Sequence, residues 1–299
     1  MKVLIIGGTG MLGHKLVQRL SRNFEVSTTV RRSPTPAEAD AIFAHATVLE
    51  GLGVEDFSAI AAEIERVRPA VVINAVGLLK QDPESKNVIK ALTINAIFPH
   101  RLSELGKRLG FRLITISTDC VFDGQKGNYT ETDLPDAMDL YGLSKRLGEI
   151  DERNCLTLRT SIIGRNLDTR NSLVEWFLAN RGGAVSGYSK AIYSGFPTIV
   201  MADIIEKLIV EHPNLCGIYH VSSEPISKLE LLELLNKSYA ASISIEPSTE
   251  VRIDRSLDSA RFRAATGFQP AGWPEMIDIM AGDPTPYDSF SSSPASKIS

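Results

Sequence analysis

The sequence predicts an α/β fold built on a doubly wound parallel sheet, with a smaller lobe in the C-terminal half. Short apolar runs alternate with amphipathic helical stretches in the first half of the chain, which is typical of a parallel sheet covered by helices. A glycine-rich turn directly follows the first apolar run. After residue 160 the alternation weakens, which indicates a second, less regular unit.

Each element follows from its hydrophobic period and its flanking residues. Strands are predicted at residues 3–6, 25–30, 70–74, 112–117, 155–160 and 217–221. Helices are predicted at residues 11–20, 60–67, 92–109, 141–149, 172–179, 201–210 and 227–236. We expect Pro99 to interrupt the third helix and Ser227 to cap the last one.

Composition excludes several classes of protein. Hydrophobic residues make up 43% of the 299 residues, enough for a large core, and the net charge of −4 argues against nucleic acid as a partner. No apolar stretch approaches the ~20 residues of a membrane span. Three separated cysteines and the absence of a metal-binding histidine spacing favour a cytoplasmic protein without disulfides or a metal.

The glycine-rich turn has the form G-x-x-G-x-x-G and is followed by a helix. Glycines in this position allow a tight turn and a close approach of the backbone to a pyrophosphate, which the helix N-terminus then faces. The sequence therefore predicts a dinucleotide-binding turn of the Rossmann type. Its cofactor-binding residues are Gly7, Thr9, Gly10, Met11, Leu12 and Gly13.

The end of the second strand favours NADPH as the cofactor. An acidic residue there would accept a hydrogen bond from the ribose of NAD, whereas Arg31 and Arg32 suit the 2′-phosphate of NADP. The alternative is a pair of solvated surface arginines, with NADH as the cofactor. We assign residues 1–160, with a return segment at about 196–222, to the dinucleotide-binding domain. Residues 161–282 form mainly a substrate-binding lobe, and the Ser- and Pro-rich residues 283–299 a disordered tail.

Three residues form the predicted catalytic set. Thr118 ends a strand, and Tyr141 and Lys145 are four residues apart, so they lie on one face of a helix. A ketone reduction needs a proton donor for the developing alkoxide, and a neighbouring ammonium lowers the pKa of a tyrosine toward a useful value. A tyrosine and a lysine at this spacing also occur by chance, but the glycine turn upstream makes chance a poor explanation.

The sequence around this set resembles the dTDP-4-dehydrorhamnose reductase family of extended short-chain dehydrogenases/reductases. The resemblance rests on Ser-Thr-Asp-Cys-Val-Phe-Asp-Gly at 117–124, Tyr-Thr-Glu at 129–131 and Tyr-Gly-Leu-Ser-Lys at 141–145, followed by Gly148 and Glu149. It implies that Tyr141 donates the proton, that Lys145 binds the nicotinamide ribose, and that Thr118 positions the substrate carbonyl. It also places four further residues along the cofactor, namely Ala75, Val76, Gly77 and Asn95.

The lobe offers candidates for binding a nucleotide diphosphate sugar. Arginine forks suit diphosphate oxygens, and Arg165 and Arg255 border the loops that we expect to close on the substrate. Taken singly, each of them is more often a surface or structural charge. Asn166 and Ser117 complete the predicted substrate-binding residues. Cys120 replaces the tyrosine usual in the family, and we interpret it as a small buried residue.

The resemblance predicts an NADPH-dependent reductase of a nucleotide-linked 4-keto-6-deoxy sugar, acting in the biosynthesis of deoxysugars for cell-surface polysaccharides. One alternative is a nucleotide-sugar epimerase or dehydratase that keeps bound NAD. Another is a non-catalytic NADP-binding regulatory subunit, since the regulatory subunit of methionine adenosyltransferase is similar to this family. A homodimer is the expected assembly, because relatives are often dimers.

Overall fold

The computed structural model describes residues 1–167 and 172–290. Its centre is a seven-stranded sheet in which all pairings are parallel, with the strand order β10-β6-β5-β4-β1-β2-β3. These strands are β1 (Lys2–Ile6), β2 (Glu25–Thr29), β3 (Ala46–Leu49), β4 (Val71–Asn74), β5 (Arg112–Thr118), β6 (Cys155–Thr160) and β10 (Gly217–His220). The predicted doubly wound parallel sheet is therefore confirmed.

Helices flank this sheet, and further helices belong to the second unit. They are α1 (Gly13–Leu20), α2 (Pro36–Glu38), α3 (Phe57–Val67), α4 (Val88–Ala91), α5 (Phe98–Leu109), α6 (Leu140–Leu147), α7 (Leu173–Ala179), α8 (Thr198–Val210), α9 (Lys228–Ser238), α10 (Ala260–Thr266), α11 (Trp273–Ala281) and α12 (Tyr287–Phe290). The central strands are buried on both sides, as in the fully buried β4. This burial explains why they are continuous apolar runs in the sequence.

The strand order reverses next to β1. Its neighbours are β2 on one side and β4 on the other, so the chain winds outward from β1 in two directions. The loops after β1 and β4 therefore diverge and leave a crevice at the carboxyl ends of the strands. Open α/β sheets bind their ligands at this position.

The helical stretch from residue 88 to 109 is continuous, and the predicted interruption at Pro99 is wrong. The stretch passes through a π-helical segment, Leu92–Ile97, into α5. Pro99 is the second residue of α5, which directly follows the π-helical segment, where the helical hydrogen-bonding pattern already changes. The π-helical segment widens the helix just before the proline, so the chain continues in the same direction.

The second unit contains a three-stranded sheet in the order β11-β8-β12. Its strands are β8 (Ala184–Tyr193), β11 (Ile226–Ser227) and β12 (Ser244–Asp254). A separate short parallel pair, β7 (Ile162–Ile163) and β9 (Phe196–Pro197), flanks β8 in the chain. We did not predict β8 or β12. The prediction for Ser227 is confirmed, because it caps α9 in a reciprocal capping box with Glu230.

The predicted disordered tail is wrong for residues 283–290. They pack on α1, where Asp283 forms a buried ion pair with Lys15 and the hydroxyl of Tyr287 lies 2.8 Å from Nε2 of His14. Buried partners far upstream order this Ser- and Pro-rich segment, which composition alone does not reveal. Residues 291–299 lie outside the described part of the chain. Within the described residues no helix is long and apolar enough to cross a membrane.

Candidate active site

Strand β5 delivers two adjacent hydroxyls to opposite faces of the sheet, because side chains alternate along a strand. Thr118 lies at the carboxyl end of β5 and accepts a hydrogen bond from the backbone N–H of Cys120 at 3.1 Å. The Ser117 hydroxyl instead donates to Glu149 at 2.6 Å. Ser117 was predicted to contact substrate, but its hydroxyl is turned to Glu149. The Thr118 hydroxyl also has a partner, since it donates to Asp119 at 3.1 Å, but it lies on the side of Tyr141.

Helix α6 positions Tyr141 and Lys145. It begins after Asp139, whose carboxylate accepts from the N–H of Gly142 at 3.0 Å. Gly142 packs so closely against the carbonyl of Cys120 that a Cβ there would collide with it. This packing places the Tyr141 hydroxyl near Thr118, whose side chain lowers the pKa of the tyrosine against the larger, opposite effect of burial. The structure therefore assembles the predicted pair of hydroxyls.

Lys145 is buried, and its ammonium donates to the carbonyl of Ile116 at 2.6 Å. Burial lowers the pKa of Lys145 to about 8, although nearby Glu149 acts in the opposite direction. Burial raises the pKa of Tyr141 above its ordinary value. We expected Lys145 to lower the pKa of the tyrosine, but in this structure desolvation dominates and keeps the hydroxyl protonated at neutral pH.

Asp119 and Cys120 line the same turn and show large electrostatic effects. Burial raises the pKa of the Asp119 carboxyl and raises the pKa of the Cys120 thiol to about 12. A thiol with such a pKa is protonated and unreactive at neutral pH. Cys120 is half-buried, so the structure does not confirm the interpretation of Cys120 as a small buried residue, although the thiol is unreactive.

The glycine-rich turn fits a dinucleotide phosphate. Gly7 has φ +96°, and a Cβ there would meet the side chain of Val76 at 2.7 Å. Helix α1 has Leu12 at its N-cap position, without a side-chain cap and without an acidic residue in its first turn. An uncapped helix N-terminus beside a turn that admits only glycine is suited to an anion. The rest of the predicted turn, Thr9, Gly10, Met11 and Gly13, joins β1 to this helix.

The two arginines after β2 lie in different environments. Arg32 forms a bidentate ion pair with the buried carboxylate of Glu38 at 2.6 and 2.7 Å, while Arg31 is exposed. The end of β2 is fastened to the glycine turn, because the Thr29 carbonyl accepts from the N–H of Gly8 at 3.0 Å. Arg31 is therefore the better placed of the two for a cofactor phosphate, and Arg32 has a structural partner.

The loop after β4 lies beside both the glycine turn and Lys145. The N–H of Ala75 donates to Ile6 at 3.1 Å, Val76 contacts Gly7, and Gly77 lies next to the Lys145 ammonium. This location agrees with the predicted course of the loop along a cofactor. Asn95 differs, because its amide is buried against the backbone of Leu78 and the Ser144 hydroxyl. It positions the loop rather than facing the crevice.

The predicted substrate-binding residues separate into two groups. Arg255 lies at the site, since its guanidinium donates to the carbonyl of Phe122 at 2.8 Å and its charge acts on Asp119. Arg165 instead pairs with Glu175 at 2.5 Å and with Asp288 at 3.0 Å. These two carboxylates neutralise the charge of Arg165, and one of them, Asp288, lies in the C-terminal segment.

Asn166, next to Arg165 in the chain, donates its backbone N–H to the same Glu175 at 3.2 Å. These contacts do not support the prediction that Arg165 and Asn166 bind substrate. Glu175 lies on α7, so both residues are held against that helix instead of the turn after β5.

Two features of the site were not predicted. Glu149 forms a buried bidentate ion pair with Arg159 at 2.7 and 2.8 Å, behind Ser117. Lys228, at the start of α9, lies 4.0 Å from the centre of the Tyr193 ring and close enough to Asp119 to affect its charge. The sequence held no signal for the contact between Lys228 and Tyr193. The cap residue Ser227 indicated only that a helix begins there.

The parallel sheet, the glycine turn at its switch point and the Thr118–Tyr141–Lys145 set together define an extended short-chain dehydrogenase/reductase. Within that class, residues 1–278 match the family model for the RmlD substrate binding domain. The chain therefore belongs to the RmlD family, as the sequence resemblance predicted.

Individual relatives agree with this assignment. The dTDP-4-dehydrorhamnose reductase of Aggregatibacter actinomycetemcomitans is 29% identical over 302 residues, which cover 91% of this chain and 95% of that protein. The crystal structure of a hypothetical dTDP-4-dehydrorhamnose reductase from Sulfolobus tokodaii is 30% identical, with a TM-score of 0.75, and covers 91% of this chain and 98% of that one.

A third relative shares the fold at lower identity. It is a dTDP-4-dehydrorhamnose reductase from Bacillus anthracis, solved in complex with NADP. It is 22% identical with a TM-score of 0.76 and covers 93% of this chain and 98% of that one.

Proposed function

We propose that this protein is an NADPH-dependent reductase of a nucleotide-linked 4-keto-6-deoxy sugar, with Tyr141 as the proton donor. The observation that carries the proposal is the proximity of the Tyr141 and Thr118 side chains, with Lys145 one helical turn further along α6. This set lies in a chain of the RmlD family, whose relatives include named dTDP-4-dehydrorhamnose reductases.

The cofactor residues would be the turn from Gly7 to Gly13, the loop from Ala75 to Gly77, and Arg31. The turn offers an uncapped helix N-terminus to the pyrophosphate, and the loop lies between the turn and Lys145. Exposed Arg31 offers a guanidinium for a 2′-phosphate. When bound, NADPH supplies the hydride for C4 of the sugar.

The protein supplies the proton and the orientation. Thr118 presents a hydroxyl that holds the ketone oxygen next to Tyr141. The raised pKa of Tyr141 keeps its hydroxyl protonated, so it can donate to the alkoxide that forms at C4. Lys145 places a positive charge on the cofactor side of the tyrosine and stabilises the phenolate that remains after proton transfer.

The decisive experiment follows the oxidation of NADPH with a dTDP-4-keto-6-deoxyhexose. Tyr141→Phe removes the donor while keeping the ring, and we expect the rate to fall by about 10²–10⁴, the usual contribution of such a group. Tyr239→Phe is the matched control. Tyr239 stands at the end of α9 and its hydroxyl donates to the carbonyl of Met280 on α11, outside the set, so the rate should stay near that of the wild type.

Three results would overturn the proposal. The first is a Tyr141→Phe enzyme as fast as the wild type, which would remove the tyrosine from the mechanism. The second is purified protein that carries tightly bound NAD and epimerises or dehydrates a nucleotide sugar. The third is a folded protein that turns over no ketosugar and co-purifies with a partner enzyme, which would indicate a regulatory subunit.

We also propose that the protein forms a homodimer through α5 and α6. Ile97 and Leu147 are 47% and 57% exposed and line a groove together with Arg101 and Arg108. Light scattering on the purified protein gives the mass directly, and Leu147→Glu should shift a dimer toward the monomer. A monomeric wild type at micromolar concentration would contradict this assembly.

A further inference from the structure

Lys228 is the first residue of α9 and points toward the turn that follows β5. Its ammonium lies over the ring of Tyr193 at 4.0 Å, and β11, which leads into α9, pairs with β8 so that Ile226 is opposite Tyr193. The neighbouring charged group on the other side is Asp119, next to Thr118. The second unit thus presents a lysine to the catalytic end of the main sheet.

The hydrogen-bonding capacity of this lysine is unused within the described residues. An ammonium has three N–H donors, yet the described residues provide Lys228 with neither a hydrogen-bond acceptor nor an ion-pair partner. The face of the Tyr193 ring attracts the charge without accepting a conventional hydrogen bond. The Tyr193 hydroxyl is buried and makes no hydrogen bond of ordinary geometry to the described residues, with Ser161 its polar neighbour.

The other cations near the turn are already occupied. Lys80 pairs with Asp139 at 2.9 Å, and Arg255 donates to the carbonyls of Phe122 and Asp123 at 2.8 and 3.3 Å. Burial lowers the pKa of Lys228 to about 8, which shows that its charge is poorly compensated by its surroundings. A partly desolvated cation with free donors is stabilised by an anionic oxygen from a ligand.

We propose that Lys228 binds an anionic oxygen of the nucleotide sugar beside the reacting carbon, and this assignment rests on the function proposed above. Two sources supply such an oxygen: the diphosphate of the nucleotide, or a carboxylate at C6 of the sugar. In the second case the reduced substrate is a nucleotide-linked 4-keto uronic acid instead of the 6-deoxy sugar. The face of the Tyr193 ring holds the Lys228 ammonium in place, and the nearby Asp119 carboxyl partly compensates the ammonium charge when no ligand is bound. Lys228 is then a specificity-determining residue on the lobe.

The test uses Lys228→Met, Lys228→Arg and the control Lys237→Met, which changes an exposed lysine of the same helix. Calorimetric titration with dTDP and with UDP measures the phosphate contribution, and titration with NADPH checks that the cofactor site is intact. If the diphosphate is the source, Lys228→Met weakens diphosphate binding by about 10- to 100-fold, as expected for a lost charge-assisted hydrogen bond. Lys228→Arg should retain most of the affinity, and Lys237→Met all of it.

The second arm compares reduction of a UDP-4-keto-hexuronic acid with that of a UDP-4-keto-6-deoxyhexose. If the sugar carboxylate is the source, Lys228→Met leaves diphosphate binding unchanged and lowers the preference for the uronic acid about 10-fold or more. Unchanged binding and unchanged preference in a folded Lys228→Met protein overturn the inference, with Lys228→Gln replacing the Met variant if that variant does not fold.

The inference and the proposed function fail in different ways. If the wild-type protein binds diphosphates through Lys228 but reduces no ketosugar, the inference about Lys228 is supported and the proposed reductase function is overturned. Wild-type protein that binds neither dTDP nor UDP and reduces no ketosugar overturns both.

Discussion

Asn95 holds both backbone groups of Leu78, accepting from its N–H at 2.9 Å and donating to its carbonyl at 3.1 Å. The same amide donates to Ser144 on α6 at 3.0 Å. One buried side chain therefore ties the loop after β4 to the helix that carries Tyr141 and Lys145. The spacing between cofactor and proton donor depends on this connection.

Asn95→Ala is expected to weaken NADPH binding about 10-fold, because it leaves the backbone of Leu78 unsatisfied, at a cost of about 1–3 kcal/mol. A fluorescence titration with NADPH measures the change. Asn87→Ala provides the control, since Asn87 caps α4 on the exposed side of the same helical stretch. Equal NADPH affinity for Asn95→Ala and wild type would show that the loop holds its position without the amide.

The rate should depend on the charge of Lys145. Its pKa of about 8 means that the ammonium is present at lower pH and is lost as the pH rises through that value. We therefore expect kcat/KM, which reports the free enzyme, to fall about 10-fold per pH unit above pH 8. Lys145→Arg keeps its charge at these pH values, so its profile should lack this decline. A flat wild-type profile from pH 7 to 9.5 would contradict the requirement for the charge.

The buried Glu149–Arg159 pair makes a specific prediction for stability. Arg159→Met leaves the Glu149 carboxylate buried without its partner, and the free energy of unfolding should fall by about 3–5 kcal/mol. Chemical denaturation measures this loss. Arg66→Met breaks the exposed Arg66–Glu63 pair, at 2.6 Å, and should change stability by less than about 0.5 kcal/mol. Similar losses in both variants would mean that burial does not decide the cost.

Substitution of Arg31 and substitution of Arg32 should affect different properties, cofactor affinity and stability respectively. Arg31→Ser is expected to weaken NADPH binding by about 10-fold or more and to leave NADH binding unchanged, because only NADPH carries the 2′-phosphate. Arg32→Ser should instead lower stability, since it strands the buried Glu38 carboxylate. Cofactor titrations and thermal unfolding of both variants test this division. A loss of NADPH affinity confined to Arg32→Ser would reverse it.

Tyr287 should contribute to stability from the far end of the described chain. Tyr287→Phe removes the partner of His14 Nε2 in a buried position, which costs about 1–3 kcal/mol. Denaturation measures this loss, and Tyr188→Phe, in the less buried β8, is the comparison. No loss in Tyr287→Phe would indicate that water or another group replaces the hydroxyl.

Local patterns were enough to predict the parallel sheet and the placement of Tyr141 and Lys145 on one helix. Tyr141 and Lys145 share a helical face because of their spacing, and the glycine turn follows from its position between β1 and α1. Ser227 was identified as a cap from its residue type. Thr35 and Glu38 have the spacing of a capping box, which the structure contains, but this pattern does not reveal that Glu38 also pairs with Arg32.

Contacts between distant residues could not be predicted in this way. Ser117 and Glu149 are 32 residues apart, and Arg165 and Asp288 are 123 apart, so no local pattern links them. Strand β12 escaped prediction for a different reason. Few of its side chains are buried, so the alternation that marks a half-buried strand is missing.

The contact between His14 and Tyr287 joins residues 273 positions apart. Loop-closure entropy disfavours such a contact until the intervening chain has become compact, so it belongs to the last steps of folding. On the ribosome, α1 leaves the exit tunnel long before residue 287 has been synthesised. In the folded structure Nδ1 of His14 donates to the carbonyl of Gly10 at 2.8 Å. The newly made phosphate turn therefore spends most of translation without the tyrosine that completes its support.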